Sequence, residues 1–126
     1  AHITIAMPDE WNRGTLKVKF FWDADTGASA SDTVTWGVAA RAVSNDDAVD
    51  AAFSAEVTVQ DAVTAVGDLH VSAATAAVTV SGTPALGDAV IFQFIRDVTD
   101  SAMAEDAALI GVQVQYQEGS TPSTQW

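Results

Sequence analysis

The chain has 126 residues, of which 48% are hydrophobic, and its 17 acidic and 5 basic residues give a net charge of −12. This length suits a single domain that can bury a sizeable core. So acidic a surface repels phosphate backbones and acidic lipids, which argues against binding nucleic acid or membranes. Cysteine is absent, which excludes disulfides, thiolate metal sites and a cysteine nucleophile. Adaptation to salty water and an ordinary solvated surface both remain open explanations of the acidic excess.

Strand periodicity dominates the chain, with apolar residues at alternate positions from Leu16 to Trp22 and again from Val34 to Ala42. The sequence predicts eight strands, over residues 2–6, 15–22, 33–43, 56–60, 68–72, 77–81, 88–96 and 109–117. Short strands at this spacing indicate an all-β fold, an antiparallel, jelly-roll-like β-sandwich. We expect residues 1–117 to form this domain and residues 118–126 to form an extended or flexible tail.

A single segment, SNDDAVDAAF at residues 44–53, favours a short helix. Ser44, Asn45 or Asp46 can cap its first turn, and the carboxylates of Asp46, Asp47 and Asp50 lie near the N-terminus, where the helix dipole favours them. The alternative is a calcium site formed by the oxygen atoms of Asn45, Asp46, Asp47 and Asp50. We prefer the helix cap, because the cluster lacks the regular spacing of a dedicated calcium loop.

The sequence offers little for catalysis. His2 lies at the N-terminus and His70 alternates with apolar neighbours in a predicted strand, so a pairing of the two as base and nucleophile would be accidental. No nucleophile-elbow, phosphate-loop, dinucleotide or zinc-protease motif is present. Paired carboxylates of a small glycoside hydrolase remain an alternative that only their separation can test. We therefore expect a protein that is not an enzyme and that needs no cofactor.

Aromatic residues are the better functional candidates. The alternation places Trp22 and Trp36 in the core, whereas Trp11 lies in the polar turn DEWNRG, Phe21 falls out of phase with its strand and Trp126 ends the tail. Exposed rings stack on sugars or anchor protein interfaces. Trp11, Phe21 and Trp126 are therefore the candidate binding residues, although packing across a sheet edge is the favoured explanation of Trp11, and a loop could equally cover Phe21.

Five phrases occur in a characteristic order: AMPDEWNRGT, VTWG, the acidic cluster before Phe53, SAAT and DAALIGV. From Ala6 to Tyr116, this ordered set resembles a family of tailed-bacteriophage structural proteins. Ala108 stands where that family usually has a basic residue in the last strand. The resemblance implies a virion β-sandwich and brings no catalytic residues.

From this resemblance we expect a non-enzymatic virion protein of the decoration, spike or fibre type, made in the bacterial cytoplasm and exposed on the capsid or tail. Its partners are then other virion proteins and further copies of itself, by analogy a trimer. Trp126 is a candidate anchor in a partner's pocket. The alternative is a carbohydrate-binding module that recognises a host surface glycan through Trp11 and Phe21.

Overall fold

The structure is a computed structural model that describes residues 1–119. It contains eight strands: β1 (His2–Ala6), β2 (Lys17–Ala24), β3 (Thr33–Val43), β4 (Val57–Ala62), β5 (His70–Val71), β6 (Val80–Ser81), β7 (Ala89–Arg96) and β8 (Ala107–Gln115). The predicted all-β class and the β-sandwich are confirmed, and β1 and β3 have the predicted bounds. Trp126 lies outside the described residues.

The strands form two sheets. The five-stranded sheet has the order β1-β7-β3-β4, and the short β6 pairs in parallel with the C-terminal half of β3. The three-stranded sheet has the order β5-β2-β8, and all other pairings are antiparallel. The sandwich has two flanks: β1 lies beside β8, and β4 lies beside β5.

The core lies between the sheets and is centred on Phe20 of β2. Its ring stacks against Trp36 of β3 at a centroid distance of 5.7 Å and meets Phe94 of β7 edge-on at 5.9 Å. Trp22 is the next inward residue on the same side of β2 and lies 6.3 Å from Trp36. These side chains are buried because they occupy alternate positions, as the sequence pattern predicts.

The prediction of a helix at residues 44–53 is wrong, since the described residues contain only turns and extended chain there. Asp46 has a left-handed φ of 68°, and the carboxylate of Asp47 accepts a hydrogen bond from Ser44 N at 2.9 Å. The polar side chains thus stabilise a local turn, which competes with a helix for the same capping groups. The chain after this turn folds over the outer face of β3, where the guanidinium of Arg41 lies 5.1 Å from the Phe53 ring centroid and donates to Ala51 O.

β5 and β6 are both shorter than predicted, and beyond β5 side chains replace part of the backbone ladder beside β2. Ser72 Oγ accepts from Phe20 N at 3.0 Å, and Thr75 Oγ1 accepts from Val18 N at 3.1 Å. Both hydroxyl-bearing residues are buried. The chain from residue 72 to 78 therefore runs along the edge of β2 and satisfies its backbone groups without forming a regular strand.

Candidate interaction surfaces

The outer face of the three-stranded sheet is the clearest candidate surface. The pairing of β2 with its neighbours puts these residues on one face, which we call the Phe21 face: Lys17, Lys19, Phe21, Val71, Gln113 and Gln115. Phe21 lies at its centre, opposite Val71 on one side and Gly111 on the other. The ring is half-buried and lies on the face that its strand phase predicts. The absent side chain of Gly111 leaves the ring open on the β8 side.

A β-bulge adds a third apolar residue, Ile110, to Phe21 and Val71 on this face. The register of β2 and β8 shifts between Phe21 and Trp22, which leaves Ile110 without a partner on β2. Ile110 is 62% exposed, and Val71 on the opposite edge is 47% exposed. Within the described part of the chain, no further element covers this face, whereas the outer face of β3 is covered by the segments around Phe53 and Ser101. Contiguous exposed apolar residues are typical of binding surfaces.

The charge of the Phe21 face differs from that of the whole molecule. Lys17 and Lys19 are the only lysines in the chain, and both belong to this face. In a protein of net charge −12, these two ammonium groups give the Phe21 face a local positive charge. An apolar ring flanked by two cations suits a partner surface that presents apolar groups and carboxylates.

Trp11 is buried, which corrects its candidacy as an exposed binding ring and agrees with the packing that the sequence favoured for it. It is 2% exposed and belongs to the core. The turn before it closes through a 3.0 Å hydrogen bond from Trp11 N to Pro8 O, and Trp11 pairs with Glu118 from the end of the described chain. Gly119 N also donates to Glu10 O at 2.6 Å. The chain after β8 thus covers the turn that looked exposed in the sequence.

The flank between β1 and β8 contains an apolar groove, which we call the open flank. It has a volume of about 450 Å³ and is lined by Ile3, Ile5, Met7, Pro8, Val112, Val114 and Tyr116. Ile3 is 45% exposed and Tyr116 is 39% exposed. Sequence analysis did not identify this groove, although neither β1 nor β8 carries an acidic residue in a chain that has 17.

The acidic residues do not form a metal centre in the described region. Within residues 1–119, no group of three or more His, Asp or Glu side chains is arranged to hold a metal ion. In the cluster that was the alternative calcium site, Asn45 Nδ2 donates to Asp46 Oδ2 at 2.8 Å, and Asp47 accepts from Ser44 N, so these side chains bond to one another and to their own turn. An open cleft of about 540 Å³ is lined partly by Asp23, Asp25 and Asp106. Asp23 and Asp25 already accept hydrogen bonds there, from the backbone N–H groups of Gly67 and Thr26.

The two histidines have separate environments. His2 is exposed and its ring lies 5.5 Å from that of Phe53. His70 is buried, stacks on Trp22 at 4.5 Å and bonds through Nε2 to Thr64 N at 3.0 Å. His70 thus serves as part of the packing between the sheets.

Comparison with protein-family models, with curated proteins and with solved structures gave no match to this chain. In residues 1–119, no helix has the length and apolar character needed to cross a membrane.

Proposed function

We propose that this chain is a non-enzymatic structural subunit of a tailed-bacteriophage particle, carried on the outside of the capsid or tail, and that it acts through protein–protein contacts. The observation that carries this proposal is the Phe21 face. It is a rigid sheet surface with exposed apolar side chains and both lysines, and no other described element covers it. Such a surface recognises another protein by shape and charge without a catalytic cleft.

The phrases that resemble phage structural proteins support a structural role, because their residues pack in the core or hold the strands together. Trp36 of VTWG packs in the core, and Ser72 and Thr75 of SAAT bond to the backbone of β2. Gly111 of DAALIGV lies opposite Phe21 beside the bulge. A pattern that specifies strand edges, a bulge and core rings is typical of a scaffold.

The proposal is tested on purified phage particles from the host that carries this gene. Quantitative mass spectrometry should find the chain in a fixed ratio to the major particle proteins, and antibodies to it should label intact particles at regular positions. Its absence from particles would refute the proposal.

The contact surface is tested separately with Phe21→Ala, which should lower the number of copies per particle because the central ring of the face is lost. Leu86→Ala is the matched control, since Leu86 is 56% exposed but belongs to a turn outside the Phe21 face. Equal incorporation of both variants would exclude the Phe21 face as the contact.

Recognition of a host glycan is the second candidate, and the half-exposed ring of Phe21 is the observation that favours it. Burial of Trp11 removes the second ring that the sequence suggested. Titration with cell-surface glycans of the host, for the wild type and for Phe21→Ala, tests this candidate. If no glycan binds, or if Phe21→Ala binds equally well, this function is excluded for the Phe21 face.

A further inference from the structure

The two flanks of the sandwich are closed to different degrees. Between β4 and β5, Trp22 Nε1 donates to Asp61 Oδ2 at 2.9 Å, and His70 bonds to Thr64. Asp61 also puts a carboxylate on the edge strand β4, which discourages pairing with another strand. At the open flank, the apolar groove separates β1 from β8.

The edge of β8 lacks the usual protection against strand pairing. It is nine residues long, AALIGVQVQ, and has no charged residue and no proline. Among residues 1–119, β8 pairs with β2 alone. Its bulge at Ile110 interrupts the N-terminal part, so the regular part of the edge is residues 111–115. A long uncharged edge of this kind is a template for another β-strand.

Charge limits where a second copy of this chain can approach. Two copies with a net charge of −12 repel one another, so close pairing is opposed least where both contact surfaces lack carboxylates. β1 and β8 are free of acidic residues and lie side by side on the open flank. Two copies of one strand paired antiparallel are related by a two-fold axis, so each contact is made twice.

We propose that two copies of this chain pair through residues 111–115 of β8 around a two-fold axis near Gln113. The two three-stranded sheets then form one continuous sheet of six strands, and the open flank of each copy faces that of its partner. Val112 and Val114, which are only partly buried in one chain, then pack beside the same residues of the second copy. The occupant of the groove is a second copy of this chain, and the assembly is a dimer, not the trimer expected by analogy. This inference does not depend on a role in a phage particle.

Sedimentation equilibrium over about a hundredfold range of protein concentration should show a reversible monomer–dimer equilibrium. A protein that stays monomeric at every concentration, or that forms a trimer, would overturn the proposal. A monomer that acquires the dimer's mass only in the presence of another protein would assign the groove to a different partner and would also overturn it.

The charge variant Gln113→Glu tests the site with almost no change in shape. It places two carboxylates opposite each other at the two-fold axis and should weaken dimerisation by about tenfold, because like charges face each other in the interface while Lys19, opposite Gln113 on β2, offsets part of the repulsion. Gln117→Glu is the matched control, since Gln117 is exposed, lies beyond the end of β8 and is outside the proposed pairing. Equal weakening by both variants would mean that charge alone, and not this edge, controls association.

Cross-linking tests the register, and the absence of native cysteine makes any disulfide unambiguous. Gln113→Cys puts two thiols across the axis at a separation that a disulfide can span. Val71→Cys is the control on the other edge of the same sheet. Mild oxidation should give a covalent dimer at least about tenfold faster for Gln113→Cys. Equal rates, or no cross-linked dimer from Gln113→Cys, would contradict pairing near Gln113.

Discussion

The indole Nε1 of Trp22 donates a 2.9 Å hydrogen bond to Oδ2 of Asp61, and this bond joins the two sheets at one flank. Trp22 is completely buried in the three-stranded sheet, whereas Asp61 belongs to the edge strand β4 of the other sheet. His70 stacks on the same indole. One carboxylate therefore satisfies a buried donor and also puts a charge on an edge strand.

Replacement of Asp61 by alanine should lower the free energy of unfolding by about 1–3 kcal/mol, because the buried indole N–H then has no acceptor. Asp61→Asn keeps an acceptor oxygen and should cost less. Urea unfolding followed by tryptophan fluorescence measures both changes. Asp68→Ala, at an exposed acidic position in the loop after β4, is the control and should change stability by no more than about 0.5 kcal/mol. Similar losses for Asp61→Ala and Asp68→Ala would show that the hydrogen bond contributes little.

Alanine substitutions at Gly82 and Gly67 separate the cost of a left-handed backbone from the cost of a steric clash. Gly82 has φ of 86° and Gly67 has φ of 82°, so alanine is strained at both. A Cβ at Gly82 would lie 2.6 Å from Ala42 O, while at Gly67 it would meet nothing within 4 Å. Gly67→Ala should therefore cost about 1–2 kcal/mol, which is the strain of the left-handed conformation, and Gly82→Ala clearly more. Thermal unfolding of both variants makes the comparison, and equal losses would show that the chain near Ala42 relaxes freely.

The stacking of Arg41 on Phe53 should hold the segment after β3 against the sheet. Arg41 is 3% exposed, so its guanidinium depends on this ring and on Ala51 O. Phe53→Leu keeps an apolar side chain but removes the π face, and should cost about 0.5–2 kcal/mol. It should also speed proteolysis within residues 44–56. Val49→Ala is the control in the same segment, because Val49 is 70% exposed; equal proteolysis of both variants would contradict the role of Phe53.

The stability of the loop after β7 should depend on pH through the carboxyl group of Asp97. The Thr99 hydroxyl and backbone N–H both donate to Asp97 Oδ1, at 2.7 and 2.9 Å, and they lower the pKa of this carboxyl. A lowered pKa stabilises the folded state above the carboxyl's unfolded pKa, and this stability is lost as pH falls through the folded pKa. Thr99→Val removes the larger cause and should raise the pKa of Asp97, measured by NMR titration of its carboxyl carbon. Ser101→Ala, which loses a bond to the Asp97 carbonyl instead, should shift it less.

Alternation of apolar residues was enough to predict the core strands, because burial of one sheet face imposes a period of two on each strand. It also placed Phe21 on the outer face, since Phe20 and Trp22 occupy the inner positions. It could not predict the burial of Trp11. That burial depends on pairing with Glu118, a residue near the other end of the chain, and no local pattern reports such a contact.

The helix prediction failed for a related reason. Capping residues at 44–47 satisfy a turn as well as they satisfy a helix, and the outcome depends on where the next residues of the chain pack. Arg41 occupies an outward position on β3, and Phe53 packs over its guanidinium, which is buried. The sequence carried no specific signal for the open flank, because residues 33–43 and 89–96 lack carboxylates just as residues 2–6 and 107–115 do. That β1 and β8 lie on the same flank is evident only from the groove that both strands line.

Salt should strengthen the proposed dimer, in contrast to an interface held by ion pairs. The proposed contact consists of backbone groups and apolar side chains, while two bodies of net charge −12 repel one another at longer range. Added salt screens that repulsion, so the dissociation constant of the wild type should fall as sodium chloride is raised from low to physiological concentration. Gln113→Glu should show a steeper dependence, because its added carboxylates face each other across the axis. Sedimentation equilibrium at several salt concentrations measures both slopes. A dissociation constant that rises with salt would mean that Lys17, Lys19 or another cation provides the contact, and the pairing of two β8 strands would then be wrong.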